Sequence, residues 1–303
     1  MYHTATSSSA THRVDESHGI SRGVPHEVVV SIIQEIQSWN PLSFHPFNPD
    51  PISYDLRSTD GAFNVCSLAT MAIIPSVDYY DDLAASYEDA FSHDPGLQKF
   101  IQAALDLLPA NSKVFDVGCG TGKPVSTTIA ANGHRVQGID LSPAMIELCR
   151  RQVPSGHFEA ANMLEYNPAE RIDADMIFTI FSLFCLGGRK ETALMINKLY
   201  RWLKPNGILC LGTICAEDLR TTLEIYDRDG LCANDVAMTF MGSETLMTAF
   251  TKEGWKQVLR EAGFEIFYTQ MDSFVPRRSP DIASDDEMHY FIMAREASSG
   301  AKL

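Results

Sequence analysis

A chain of 303 residues is long enough for one large domain or two small ones, with a sizeable core. Its 39 acidic against 24 basic side chains, a formal charge of −15, leave no basic patch for phosphate backbones, so nucleic acid is set aside as the main partner. Seven cysteines stand singly without a C-x-x-C pair, and the longest apolar stretch, Met176–Gly187, is too short for a bilayer. The chain therefore reads as a reduced protein with no metal scaffold and no membrane span.

Residues 1–24, rich in Ser, Thr and His, read as a disordered tail without the apolar centre of a signal peptide. Residues 25–76 read as an extension that packs on the main domain. They hold a helical face of Val28, Val29, Ile32, Ile33 and Ile36, a proline-rich loop, and an apolar run over 62–75 of ambiguous period. From residue 77 the pattern becomes regular. Helices are expected over 79–91 and 97–108, a strand over Lys113–Val117, and a helix over Lys123–Asn132. A strand over Arg135–Ile139 precedes a helix over Pro143–Arg151 capped by Ser142, and a short strand lies around Phe158. A buried strand over Asp175–Phe181, a helix over Lys190–Leu203 and a strand over Gly207–Gly212 follow. After a long insert over 216–250 come a helix over Glu253–Ala262 and two strands near Phe264–Gln270 and Met288–Ala294. This alternation predicts an α/β fold, a Rossmann-like, mostly parallel sheet of seven strands with helices on both faces and an antiparallel hairpin at one edge. Residues 297–303 read as a flexible tail closing in Ala301-Lys302-Leu303, a variant of the peroxisomal address, which implies a peroxisomal import receptor as partner and the cytoplasm otherwise.

The first strand ends in D-V-G-C-G-T-G-K-P, from Asp116 to Pro124. A phosphate-cradling P-loop needs Ser or Thr after Gly122-Lys123 and Gly five positions before Gly122; Pro124 and Val117 stand there. The dinucleotide fingerprint started at Gly118 and Gly120 needs Gly where Lys123 stands. Both are excluded. What remains is Gly118-x-Gly120-x-Gly122 behind Asp116, a turn whose backbone lets a ligand lie directly against it. About 20 residues on, Asp140 closes the second strand, the position of a ribose-binding acid in nucleotide folds. The third strand runs into Ala161-Asn162-Met163, and Leu203-Lys204-Pro205-Asn206-Gly207 precedes the fifth.

In this order and spacing the motifs resemble class I S-adenosylmethionine-dependent methyltransferases of the small-molecule type, over about residues 77–296. The resemblance implies S-adenosylmethionine as cofactor, held by Tyr87, Asp116, Gly118, Gly120, Gly122, Asp140, Leu141, Asn162, Met163 and Thr179. In it the acid at Asp140 binds both ribose hydroxyls, Leu141 covers the adenine, and Asn162 replaces the usual Asp that meets the adenine amino group. Phe184-Cys185-Leu186 stands where many relatives have Phe-His-Leu, so any role of that His is missing here.

Acceptor walls are expected from the extension, from Phe184 and Cys185, and from the insert over 216–250, whose Met238, Phe240, Met241, Met247 and Phe250 suit a lid over an apolar acceptor or a packed cover of the core. Tyr79 and Tyr80 are candidates for the cofactor mouth, Tyr80 and His93 are considered as general base, and His289 is expected on an edge strand. Two functions stay open. One is in-line methyl transfer to a small, largely apolar metabolite of secondary metabolism, oxygen being favoured over nitrogen, sulfur or carbon. The other is a non-catalytic regulatory or interaction protein that keeps the methyltransferase fold.

Overall fold

The computed structural model describes residues 77–219, 222–277 and 284–297, all within the second of two compact units, Asn64–Leu303. The readings placed on residues 1–76 and on the closing tripeptide lie outside the described residues.

Two helices come first, α1 (Val77–Phe91) and α2 (Pro95–Leu105). The alternation then runs β1 (Lys113–Val117), α3 (Val125–Ala131), β2 (Arg135–Asp140), α4 (Pro143–Gln152), β3 (His157–Ala160), β4 (Ala174–Ile180), α5 (Arg189–Trp202) and β5 (Leu203–Ile214). A hairpin of β6 (Cys232–Phe240) and β7 (Ser243–Phe250) precedes α6 (Lys252–Glu261), β8 (Phe264–Phe274) and β9 (Glu287–Glu296). Seven strands make one sheet in the order β3-β2-β1-β4-β5-β9-β8. The first five are parallel, and β9 runs antiparallel to both neighbours. The expected edge hairpin is thus β8–β9, with β8 outermost.

Strands covered on both faces need apolar residues at successive positions. Here Phe115, Ile177, Leu209 and Ile292 face a core shared with Met195, Ile196 and Leu199 of α5 and Trp255 and Leu259 of α6. Their neighbours Val114, Met176, Cys210 and Phe291 face the opposite core, shared with Phe100 and Ile101 of α2, Ile129 of α3 and Ile146 of α4. The period of two in β1, β4, β5 and β9 therefore sorts one continuous apolar run into two cores. Three of the helices, α2, α4 and α6, start where a side chain satisfies first-turn N–H groups. Asp94 accepts from Gly96 and Leu97 at 2.8 and 3.1 Å, Ser142 from Met145 at 3.0 Å, and Thr251 from Gly254 at 2.9 Å.

Three expectations change. The insert over 216–250 holds regular structure: β6 and β7 form a separate two-stranded sheet turned at Met241-Gly242, with φ of +49° and +83°. Two-residue hairpin turns of this hand favour Asn, Asp or Gly, and Met at the first position hides the signal. His289 is not on an edge, because β9 lies between β5 and β8. Residues 204–207 bulge out of β5, whose pairing with β4 jumps from Ala174–Leu203 to Met176–Ile208, with Asn206 at φ +64°.

Phe291, fully buried and stacked on Phe100 at 4.9 Å between centroids, joins β9 to α2. Phe291→Ala should lower unfolding stability by about 3–5 kcal/mol, read from the urea midpoint at unchanged slope.

Candidate active site

Open parallel sheets bind ligands beyond the carboxyl ends of the strands, where the strand order reverses. In this sheet that point lies between β1 and β4, and a cavity of about 330 Å³ opens there. The glycine turn after β1 forms its floor. Gly118 and Cys119 donate to the carbonyl of Ile139 at 2.8 and 3.0 Å, tying the turn to the end of β2. Gly118 has φ +74°, and a Cβ there would lie 2.4 Å from Cβ of Ser182. At Gly120, with φ +51°, a Cβ would meet no protein atom within 4 Å. One glycine is thus required by packing, and the other keeps the backbone bare toward open space.

Asp140 holds this arrangement together. Its Oδ2 accepts from Gly120 N–H at 2.8 Å and its Oδ1 from Ser142 N–H at 3.0 Å. Desolvation raises its carboxyl above the ordinary range, against the lowering effect of the Ser142 and Gly120 amides. Leu141, 41% exposed, presents an apolar surface at the cavity. Asn162 lines the cavity too, its Oδ1 accepting from Leu164 N–H at 3.0 Å. An amide oxygen has a second acceptor site, and the amide NH₂ can donate as well.

Helix α1 is tied across this end of the sheet. Asp81 accepts from Ser142 Oγ and, at 3.1 Å, from Ala144 N–H, so it caps α4 from outside. Glu88 receives Lys123 Nζ at 2.6 Å and Gln152 Nε2 at 2.5 Å. Tyr79 donates to the carbonyl of Phe240 at 2.6 Å, and the Tyr80 hydroxyl lies 3.1 Å from Cys185 Sγ. Tyr80 and Tyr87 consequently face the cavity, beside Phe184 and Cys185 from the 3₁₀ turn after β4. Met238, Phe240 and Met247 of the β6–β7 hairpin line the cavity as well.

The structure thus brings together Tyr80, Tyr87, Gly118, Gly120, Asp140, Leu141, Asn162, Met163, Phe184, Cys185, Met238, Phe240 and Met247. Others stand elsewhere. Asp116 lies beneath the floor, accepting from Ser126 Oγ at 2.7 Å, and burial together with the nearby Asp140 charge pushes its carboxyl up to about 7. Buried Thr179 shares a hydrogen bond with Ser182 Oγ at 2.8 Å, so it positions Ser182 rather than facing the cavity. Gly122 packs on Cys149, where a Cβ would come within 2.8 Å of the sulfur. Met241 and Phe250 are not walls: Met241 packs with Phe91 and Phe274, and Phe250 on Trp255 at 4.8 Å. His93 lies against Phe274 at 5.1 Å, outside the cavity lining. Burial, then Cys185, holds the Tyr80 phenol well above its ordinary value, which disfavours it as a base near neutrality.

Residues 114–207 match the family model described as "Methyltransferase domain". The stretch from β1 into β5 is thus similar to a methyltransferase domain. YqeM of Bacillus subtilis strain 168 is 31% identical over 135 residues, 43% of this chain and 53% of its own length. The trans-aconitate 2-methyltransferase of Paracidovorax citrulli is 35% identical over 107 residues, 34% of this chain and 39% of its own length. The chain thus spans about half or less of these relatives' length. A solved Burkholderia thailandensis 1,6-didemethyltoxoflavin-N1-methyltransferase, holding 1,6-didemethyltoxoflavin and S-adenosylhomocysteine, shares the fold. Its TM-score is 0.52 at 18% identity, over 73% of this chain and 87% of that one.

Several further residues of the cavity carry no signal in the sequence. Ser182 donates to the carbonyl of Val117 at 3.0 Å and locks the end of β4 to β1. Phe181 sits in the cavity wall at φ +53°, a backbone state unfavourable for an aromatic residue, held by its N–H bond to Gly212 O at 2.8 Å. Glu287 reaches the same cavity from β9. The aromatic and serine at the end of β4 were adjacent to recognised motifs, but nothing in sequence spacing links residue 287 to residue 118.

The Asp116 carboxyl has a sign that can be measured. Its folded value, about 7, exceeds the ordinary 3.8, so between these limits the folded state holds a proton that the unfolded state has lost. Stability should therefore fall as pH rises from 4 to 7, by about 1.4 kcal/mol per pH unit from this group. Asp116→Asn, which still accepts from Ser126, should flatten that slope in urea titrations of the ligand-free protein.

Proposed function

We propose that this protein transfers the methyl group of S-adenosylmethionine to a small, largely apolar metabolite by in-line displacement, with oxygen the favoured acceptor atom. The observation that supports this reading is the continuity of one cavity from the glycine turn and Asp140 to the Met238, Phe240 and Met247 wall. The residues present fit the cofactor: bare backbone at Gly120, a carboxylate at the end of β2, an exposed Leu141 and the amide of Asn162. Asp140 would hold the ribose hydroxyls, Leu141 would cover the adenine, and Asn162 would meet its amino group. When bound, the cofactor supplies a methyl group already activated on a sulfonium, so the protein contributes chiefly proximity, orientation and exclusion of water.

The hairpin serves the last of these roles. Met238 and Met247 come from facing strands, and Phe184 packs against the same apolar cluster. Flexible thioethers adapt to an irregular apolar ligand and leave no room for ordered water. Tyr80 and Tyr87 close the side formed by α1, where desolvation, then the Glu287 and Asp140 carboxylates, raises the Tyr87 phenol. Both phenols are hydrogen-bonding groups that stay neutral across the physiological range.

Incubation with methyl-labelled S-adenosylmethionine and a metabolite extract should give a labelled, organic-extractable product. Asp140→Ala should weaken S-adenosylmethionine binding about 10- to 100-fold by calorimetry, the loss of hydrogen bonds to a charged group, with far-ultraviolet dichroism unchanged. Unchanged affinity in that variant would remove the cofactor assignment.

A further inference from the structure

The apolar cavity has an acidic wall that the methyl-transfer reading leaves unused. Glu287, 8% exposed at the start of β9, lines the cavity. Its Oε2 lies 2.6 Å from Nε2 of His289, and Nδ1 of His289 lies 2.8 Å from Oδ2 of Asp94. The other oxygen of Asp94 caps α2 through the Gly96 and Leu97 amides. His289 is fully buried, with the Phe181 and Phe274 rings at 4.2 and 5.1 Å. A neutral imidazole has a single N–H, so carboxylate oxygens at both nitrogens call for one shared additional proton. Burial alone would lower the affinity of the imidazole for that proton, but Asp94 and Glu287 outweigh it and raise it.

With a proton on each ring nitrogen, the three side chains carry a net charge of −1, anchored at one end to a helix N-terminus. Glu287 is thereby fixed in orientation rather than left to swing. Asp140, the other carboxylate in the cavity, is engaged by the Gly120 and Ser142 amides. No Lys, Arg or His stands among the described residues that line this cavity. With Asp140 taken up by the cofactor, an acceptor bearing a carboxylate or phosphate would approach the Glu287 carboxylate in an apolar, weakly screening space. An acceptor with an O–H, N–H or ammonium head would meet a fixed acceptor instead.

We propose that Glu287, oriented by His289 and Asp94, selects the acceptor: an apolar small molecule with a hydrogen-donating or cationic head, an alcohol, phenol or amine, and not a carboxylate or phosphate. The proposal rests on the methyl-transfer reading, since it takes the acceptor to share that cavity with the cofactor.

The test uses the full chain saturated with S-adenosylhomocysteine, titrated calorimetrically with three probes on one skeleton: 4-phenylbutylamine, 4-phenylbutan-1-ol and 4-phenylbutyrate. The amine and the alcohol should bind at least about tenfold more tightly than the carboxylate. Glu287→Gln should bring amine and carboxylate to within about threefold of each other, while S-adenosylhomocysteine affinity stays within about twofold. Glu287→Asp, which keeps the charge, should retain the preference, and it separates a lost charge from a disturbed fold. Equal or tighter binding of the carboxylate, no binding of the amine, or a preference that survives Glu287→Gln would overturn the proposal. A wild-type chain that does not take S-adenosylhomocysteine would instead strike the methyl-transfer reading.

Discussion

The site depends on the Asp140 carboxylate and the two amides that meet it. Gly120 N–H comes from the turn after β1 and Ser142 N–H from the start of α4, so one side chain at the end of β2 joins three segments. Hydrogen bonds to an ionised acceptor are about twice as strong as neutral ones, and here they offset part of the desolvation, which still leaves the Asp140 carboxyl above its ordinary range. The glycine turn can take its left-handed backbone because this anchor and the Ile139 carbonyl satisfy its N–H groups. Every other wall of the cavity is positioned relative to this floor.

Two further segments convert the floor into an enclosed space. Helix α1 is not a strand connection; its residues reach α4 through Asp81, Lys123 after the glycine turn through Glu88, and the hairpin through Tyr79. The β6–β7 hairpin stands outside the main sheet and packs its apolar face on Ile214, Ala216 and Phe184. Both lie over the carboxyl ends of the strands, where a parallel sheet leaves its loops and its unpaired backbone groups. An apolar cover at that place excludes water from polar groups that would otherwise be solvated, which strengthens each electrostatic interaction inside.

The Asp94–His289–Glu287 array shows how the antiparallel strand contributes. Because β9 enters between β5 and β8, residue 289 lies in the interior beside the loop that caps α2. A buried histidine between two carboxylates costs desolvation unless each nitrogen is matched, and here both are. The same insertion carries Glu287, two residues earlier on the same face, to the cavity.

Much of this was written in local pattern. The strand and helix alternation, the Ser142 cap, the glycine turn and the Asp140 register depend on residues close in sequence, where propensity and spacing act directly. The rest of the cavity was less legible. Met241 and Phe250 have the same composition as true walls, yet one packs with Phe91 and the other on Trp255, because strand register and not residue type decides which face a side chain takes. The hairpin itself was masked by a turn at Met241-Gly242 without the usual turn residues. The sequence alone determined the resemblance to methyltransferases and the floor of the cavity, since the glycine turn and the carboxylate at the end of β2 are set by local spacing. Only the tertiary structure decided the rest of the cavity lining: Phe184, Met238 and Glu287 reach one cavity, and Glu287 is tied through His289 to Asp94, contacts that span nearly two hundred residues and leave no periodic trace.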